Sequence, residues 1–115
     1  MPNPVVHFEI AGPDGKALQR FYADVFDWKI NADNPMEYGM VDTGTGEQGI
    51  GGGISASQTG AQATFYIQVD DPQAYLDKVV AAGGKVAHPV EEIPNMVTFA
   101  QFADPQGNVI GLVKG

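Results

Sequence analysis

The sequence predicts an α+β fold built from two βαβββ modules, and three observations predict it. Each half opens on a segment with strand-like alternation, continues into an amphipathic helix, and ends in three short strand segments. With 115 residues in all, each half is too small to close a good core alone. The modules, about 4–56 and 62–115, are therefore expected to pack as a single domain.

Val5 to Ile10 alternates Val6, Phe8 and Ile10 with His7 and Glu9, the pattern of a strand with two different faces. Gly12-Pro13-Asp14-Gly15 is a turn. From Lys16 to Phe26 the apolar residues Ala17, Leu18, Phe21, Tyr22, Val25 and Phe26 recur at helical spacing, with Gln19, Arg20 and Asp24 outside the stripe. That predicts a helix lying on a sheet. Trp28 to Ile30, Glu37 to Val41 and the glycine-rich Gly49 to Ser55 follow as strand candidates, separated by Asn, Asp, Pro and Gly.

The second half repeats the order. Ala63 to Val69 sets Phe65, Ile67 and Val69 against Thr64, Tyr66 and Gln68, and Asp70-Asp71-Pro72 supplies a helix start. The helix runs from Pro72 to about Ala82, apolar at Ala74, Tyr75, Val79 and Val80, and Gly83-Gly84 stops it. Lys85 to Ala87, Val97 to Phe102 and Val109 to Val113 are the remaining strands. Between the first two lies the loop-like "HPVEEIPN", where His88 is expected to be a solvated surface residue. The helices should cover one side of each sheet. The opposite side, carrying His7, Glu9, Thr64, Tyr66 and Gln68, is too polar for ordinary core and is expected to line a concave surface.

Composition narrows the function classes. Six Lys and Arg against 14 Asp and Glu give a net charge of −8, which repels phosphate backbones and anionic headgroups; neither nucleic acid nor membrane is an expected partner. There is no cysteine, hence no disulfide, no thiolate ligand and no cysteine nucleophile. No apolar run approaches the roughly 20 residues of a membrane span, and Met1-Pro2-Asn3-Pro4 lacks a basic leader. A cytoplasmic location is the expectation. Gly51-Gly52-Gly53 is not followed by the GK[ST] of a phosphate-binding loop.

Two stretches stay unusual. Gly111 interrupts the strand Val109-Ile110-Gly111-Leu112-Val113, and Gly51 to Gly53 forms a run. Glycine inside a strand marks a bulge or a place where a ligand or another chain segment comes close. For Gly51 the alternatives are a close backbone crossing and a widened cavity floor.

The opening "VVHFEIAGPDGKALQRFYADVFDWKI", the mid-chain "FYIQVDDPQAYLDKVVAAGGKV" and the closing "DPQGNVIGLV" together resemble the vicinal oxygen chelate superfamily, which includes glyoxalase I, bleomycin resistance proteins, fosfomycin resistance enzymes and extradiol dioxygenases. The resemblance covers nearly the whole chain. It implies two βαβββ modules forming a curved open sheet around a cavity, commonly in a homodimer. It also implies a divalent metal held by His, Gln or Glu from the first and last strand of each module. His7 falls on the first of these positions and Thr64 on its counterpart; Gly111 stands where a glutamate is expected, and the equivalent strand of the first module offers only Gly51, Gly52 and Gly53.

Hard divalent ions need several oxygen or imidazole ligands in fixed geometry, so the expectation is no cofactor, with His7 a metal ligand only if a metal is present at all. The chain then reads as a glyoxalase-like protein binding a small apolar or aromatic molecule, with Thr64, Tyr66, Gln68, Met40, Phe99 and Gly51 as candidate binding residues. The alternative is an enzyme of lyase, isomerase or dioxygenase type. It would use either an unconventional metal site or His7 and Glu9 as an acid–base pair, since an imidazole and a carboxylate side by side tune each other. Tyr38, Gln101, Phe102, Trp28 and Met96 are read as core or dimer contacts, as are Met40 and Phe99 in the competing view.

Overall fold

The computed structural model describes residues 2–44 and 49–115. Ten elements run in the order β1 (Val5–Gly12), α1 (Gly15–Phe26), β2 (Lys29–Asn31), β3 (Gly39–Asp42), β4 (Gly52–Ala56), β5 (Gln62–Val69), α2 (Pro72–Ala81), β6 (Lys85–Ile93), β7 (Val97–Ala103) and β8 (Val109–Lys114). Read twice, that order is βαβββ. The chain divides into two compact units, His7–Thr64 and a second formed by Phe65–Gly115 with the residues up to Val6.

In the His7–Thr64 unit the strands lie in the order β2, β3, β4, β1. β1 and β4 are parallel, with Glu9 opposite Gly53, while β3 runs antiparallel to β4, with Met40 opposite Gly53 on its other side. Val41 and Ile54 are buried. Asp14 caps α1 by accepting a hydrogen bond from the Ala17 amide, and Asp27 ends it in the left-handed conformation (φ 58°). Gln19 ties the helix to the sheet, its amide nitrogen donating to the Ile54 carbonyl at 2.8 Å.

The expected apolar stripe of α1 is only partly covered. Phe21, Val25 and Phe26 are each more than half exposed, and Gly15 is the residue of the helix that is buried. The aromatic side chains instead pack on one another: Tyr22 stacks on Trp28 at 5.1 Å and lies 6.0 Å from Phe26, and Trp28 reaches Phe8 at 5.4 Å. Ring-on-ring contact at the flank of the helix replaces burial under it.

In the second unit the order is β5, β8, β7, β6. β5 and β8 are parallel, and β7 runs antiparallel to both β8 and β6. The core sits between this sheet and α2, where Val69, Leu76, Ala100 and Leu112 are buried with Ile67, Tyr75, Val90 and Phe102 against them. Asp71 caps α2 and Pro72 occupies its first turn. Gly83, at φ 104°, and the Gly84 amide bonded back to Val79 close it. β6 is longer than expected, because "HPVEEI" continues the strand through two irregularities rather than leaving it. Pro89 is tolerated since β6 is the outermost strand of this unit.

Candidate functional site

The side chains expected to share the polar face of β1 do meet, through a residue that strand periodicity had placed among core or dimer contacts. His7 Nε2 lies 2.9 Å from the Tyr38 hydroxyl, and that hydroxyl donates to Glu9 Oε2 at 3.1 Å. The His7 and Tyr38 rings are near parallel, 14° apart, with centroids 6.3 Å apart. Tyr38 therefore bridges the imidazole and the carboxylate.

Local structure fixes Tyr38 in that position. It precedes β3 rather than belonging to it. The side-chain amide of Asn34 clamps its backbone from both directions, accepting from the Tyr38 amide at 3.0 Å and donating to the Tyr38 carbonyl at 2.7 Å. Glu37, just before it, takes φ 52°, which turns the chain into the strand. The ring then lies over Gly53, where any added Cβ would run into it. A neighbouring position behaves alike: a Cβ on Gly52 would stand 2.5 Å from the Phe8 ring. The glycine run is thus a floor for aromatic rings. Filling the space over a strand glycine with a neighbouring aromatic ring is a known stabilising device in sheets.

Gly51 differs. It lies outside β4, is exposed, accepts a hydrogen bond from the Phe8 amide at 3.2 Å, and its added Cβ would only approach the Val41 carbonyl at 3.2 Å. Met40, opposite Gly53, is about half exposed. Thr64 is buried.

Burial acts on His7 in one direction. Removal from water penalises the imidazolium, so its pKa is pushed below the ordinary histidine value and the neutral ring is favoured. A neutral imidazole has one N–H and one lone pair, which is the form that general acid–base chemistry requires at neutral pH.

In the second unit, Tyr66, Gly111, Gln101 and His88 stand opposite one another across β5, β8, β7 and β6. The next step along the same face carries Gln68, Val113, Phe99 and Glu91. The Tyr66 ring fills the space over Gly111, and the Tyr66 hydroxyl accepts from Gln101 Nε2 at 3.0 Å. His88 is not a loop residue: it belongs to β6, stacks on Phe99 at 5.3 Å with ring planes 5° apart, and pairs with Glu91 at 2.8 Å. It remains substantially exposed, as expected of it.

His7 and Glu9 thus meet through the Tyr38 hydroxyl, and Tyr38, Gln101 and His88, which the sequence pattern reads as core, dimer or surface residues, join the polar faces. The signal was present for Gln101 and His88 as polar residues flanking Phe99 in the strand pair. For Tyr38 the only hint was "NPMEY", a turn sequence that lifts Tyr38 out of the strand alternation. Among the described residues, no group of three or more His, Cys, Asp or Glu side chains is placed to hold a metal ion. Also among them, no helix is long and apolar enough to cross a membrane.

Comparison with known proteins places this arrangement. Residues 5–112 match the model of the Glyoxalase/Bleomycin resistance protein/Dioxygenase superfamily. A Mycobacterium tuberculosis protein named as a glyoxylase, CFP32, is 33% identical over 86% of this chain, which spans 41% of that relative's length. A glyoxylase-like domain-containing protein of Didymella fabae is 31% identical, the match covering 87% of this chain and 84% of the relative. The crystal structure of methylmalonyl-CoA epimerase from Mycobacterium tuberculosis superposes with a TM-score of 0.65 at 15% identity, covering 96% of this chain and 86% of that one, a likeness of fold. The α+β fold of paired βαβββ modules is the one expected, and the chain belongs to the Glyoxalase/Bleomycin resistance protein/Dioxygenase superfamily.

Proposed function

We propose that this glyoxalase-like chain binds a small apolar or aromatic organic molecule and does so without a divalent metal centre of the family type. The observation that carries the reading is the pair of tyrosine rings over Gly53 and Gly111, because they take up space on the last strand of each module where the family resemblance calls for a metal-binding side chain. In the His7–Thr64 unit the remaining donors are one imidazole and one carboxylate, both engaged with Tyr38. That donor set does not fit a hard divalent ion, which takes several oxygen or imidazole ligands. In the His7–Thr64 unit the Tyr38 ring, with the half-exposed Met40, favours an apolar or aromatic ligand held by a few polar groups.

A thermal-shift screen of small aromatic and apolar compounds tests this. Stabilisers are expected whose effect is lost in Tyr38→Ala or in Gly53→Leu. Hits indifferent to both substitutions would place binding elsewhere, and finding no stabiliser at all would remove the reading.

A second reading is favoured by the His7, Tyr38 and Glu9 hydrogen bonds: metal-free proton transfer of lyase or isomerase type on a small carbonyl compound. His7 would accept the proton and Tyr38 and Glu9 would orient it. Solvent deuterium exchange into a bound carbonyl compound, abolished in both His7→Ala and Glu9→Ala, is its expected signature. Self-association as a homodimer belongs to the proposal as well, motivated by the exposed Phe21, Val25 and Phe26 of α1. So does a cytoplasmic setting without nucleic-acid or membrane partners, which the charge of −8 supports.

A further inference from the structure

We infer that Tyr38 takes the place of a metal as the group joining His7 to Glu9, and that it fixes His7 as the Nε2–H tautomer. The first half rests on the metal-free reading proposed above. The second half follows from counting protons. A phenol has one hydrogen to donate, and an ionised carboxylate only accepts. The Tyr38 hydroxyl gives its hydrogen to Glu9 Oε2 at 3.1 Å. The 2.9 Å contact between the same oxygen and His7 Nε2 then requires the hydrogen of that bond to sit on the nitrogen.

In the neutral ring this leaves the lone pair on Nδ1. The atom of His7 with acid–base capacity is therefore Nδ1, and Nε2 is the anchor. Tyr38 is a positioning residue in this scheme, acting through His7. Its own position does not depend on the hydroxyl, because Asn34 holds its backbone and Gly53 seats its ring. The direction of the His7 contact is consequently coupled to Glu9: with that acceptor removed, the Tyr38 hydrogen can be given to the imidazole nitrogen 2.9 Å away.

The experiment is nitrogen-15 NMR of the imidazole rings in the intact chain, at a pH where His7 is neutral. The chain has two histidines, so a His88→Gln sample assigns the signals. The expected result is an Nε2–H His7 in the parent chain, a shift toward Nδ1–H in Glu9→Ala, and a mixture of tautomers in Tyr38→Phe. The last variant keeps the ring over Gly53 and so tests the inference even if Glu9→Ala fails to fold. An Nδ1–H ring in the parent chain, or an Nε2–H ring unchanged in both variants, would overturn it. Adding one equivalent of Zn²⁺ separates the two halves. Unchanged His7 signals support both, whereas zinc displacing the Nε2 proton would overturn the metal-replacement half and leave the tautomer of the metal-free chain as measured.

Discussion

Gly53 and Gly111 occupy matching places on the last strands of the two modules, and each has a tyrosine ring over it, yet the two tyrosines do different things. Tyr38 reaches Gly53 from the approach to the antiparallel neighbour β3, and its hydroxyl joins two ionisable side chains. Tyr66 reaches Gly111 from the parallel neighbour β5, and its hydroxyl is held by the neutral amide of Gln101. The same missing side chain has been filled twice by the same residue type. The difference lies in the partners: the Tyr38 hydroxyl bonds an imidazole and a carboxylate, and the Tyr66 hydroxyl accepts from the Gln101 amide.

The strongest test of that comparison fills both glycines. Gly53→Leu and Gly111→Leu should each cost about 1–3 kcal/mol in urea unfolding, because a ring must move to admit the side chain. Gly51→Leu, which meets only a carbonyl at 3.2 Å, should cost less than either. If Gly51 proved as costly as Gly53, the ring-floor account of the glycine run would fail.

Removing the hydroxyls sharpens the contrast. Tyr38→Phe and Tyr66→Phe should each lose about 1 kcal/mol, the usual net worth of a partly buried hydrogen bond. Tyr38→Phe should also change the pH dependence of stability, since its hydroxyl contacts His7 and Glu9, and Tyr66→Phe is the comparison. Denaturation midpoints across pH 5 to 8 in the two variants make the comparison.

The pH dependence itself differs between the units. The His7 pKa is lowered in the folded chain, so between that lowered value and the ordinary value of about 6.5 the unfolded chain binds more protons than the folded one. Stability from this group is complete above the ordinary value and falls as pH drops below it. His7→Gln should flatten that slope. In the second unit Asp104 is exposed, and its carboxylate is held below the usual range first by the Asn108 side-chain amide and then by the Asn108 backbone amide. Its contribution is present above the ordinary carboxylate value and lost as pH falls from there through the lowered folded value. Asp104→Ala should therefore lower stability slightly at neutral pH and flatten the acid limb, the smallest effect in the series.

The fold was legible because both of its periods were written into the chain. Alternation in "VVHFEI" and "TFYIQV", capping by Asp14 and Asp71, and the Gly83 stop each have a local cause that tertiary packing did not override. β6 was cut short because Pro89 reads as a strand breaker, and its tolerance on an outer strand depends on topology. The spacing of α1 predicts a helix lying on a sheet but not how much of its stripe the sheet covers, because periodicity records which residues share a face, and not whether their neighbours are sheet or other rings. Half of the site followed from one strand, since His7 and Glu9 lie two residues apart. Tyr38 arrives from 29 residues away through a turn, and no period in the sequence points from one to the other. Gly111 read as a subtraction in the sequence. In the folded chain it is the seat of Tyr66.

The central claim is that tyrosine, and not a divalent ion, organises His7 and Glu9. Calorimetric titration of the purified chain with Co²⁺, Ni²⁺ and Zn²⁺, beside His7→Ala, tests it most directly. The account predicts no tight stoichiometric binding and no difference between the two proteins. One equivalent of metal bound tightly by the parent chain and lost in His7→Ala would contradict it.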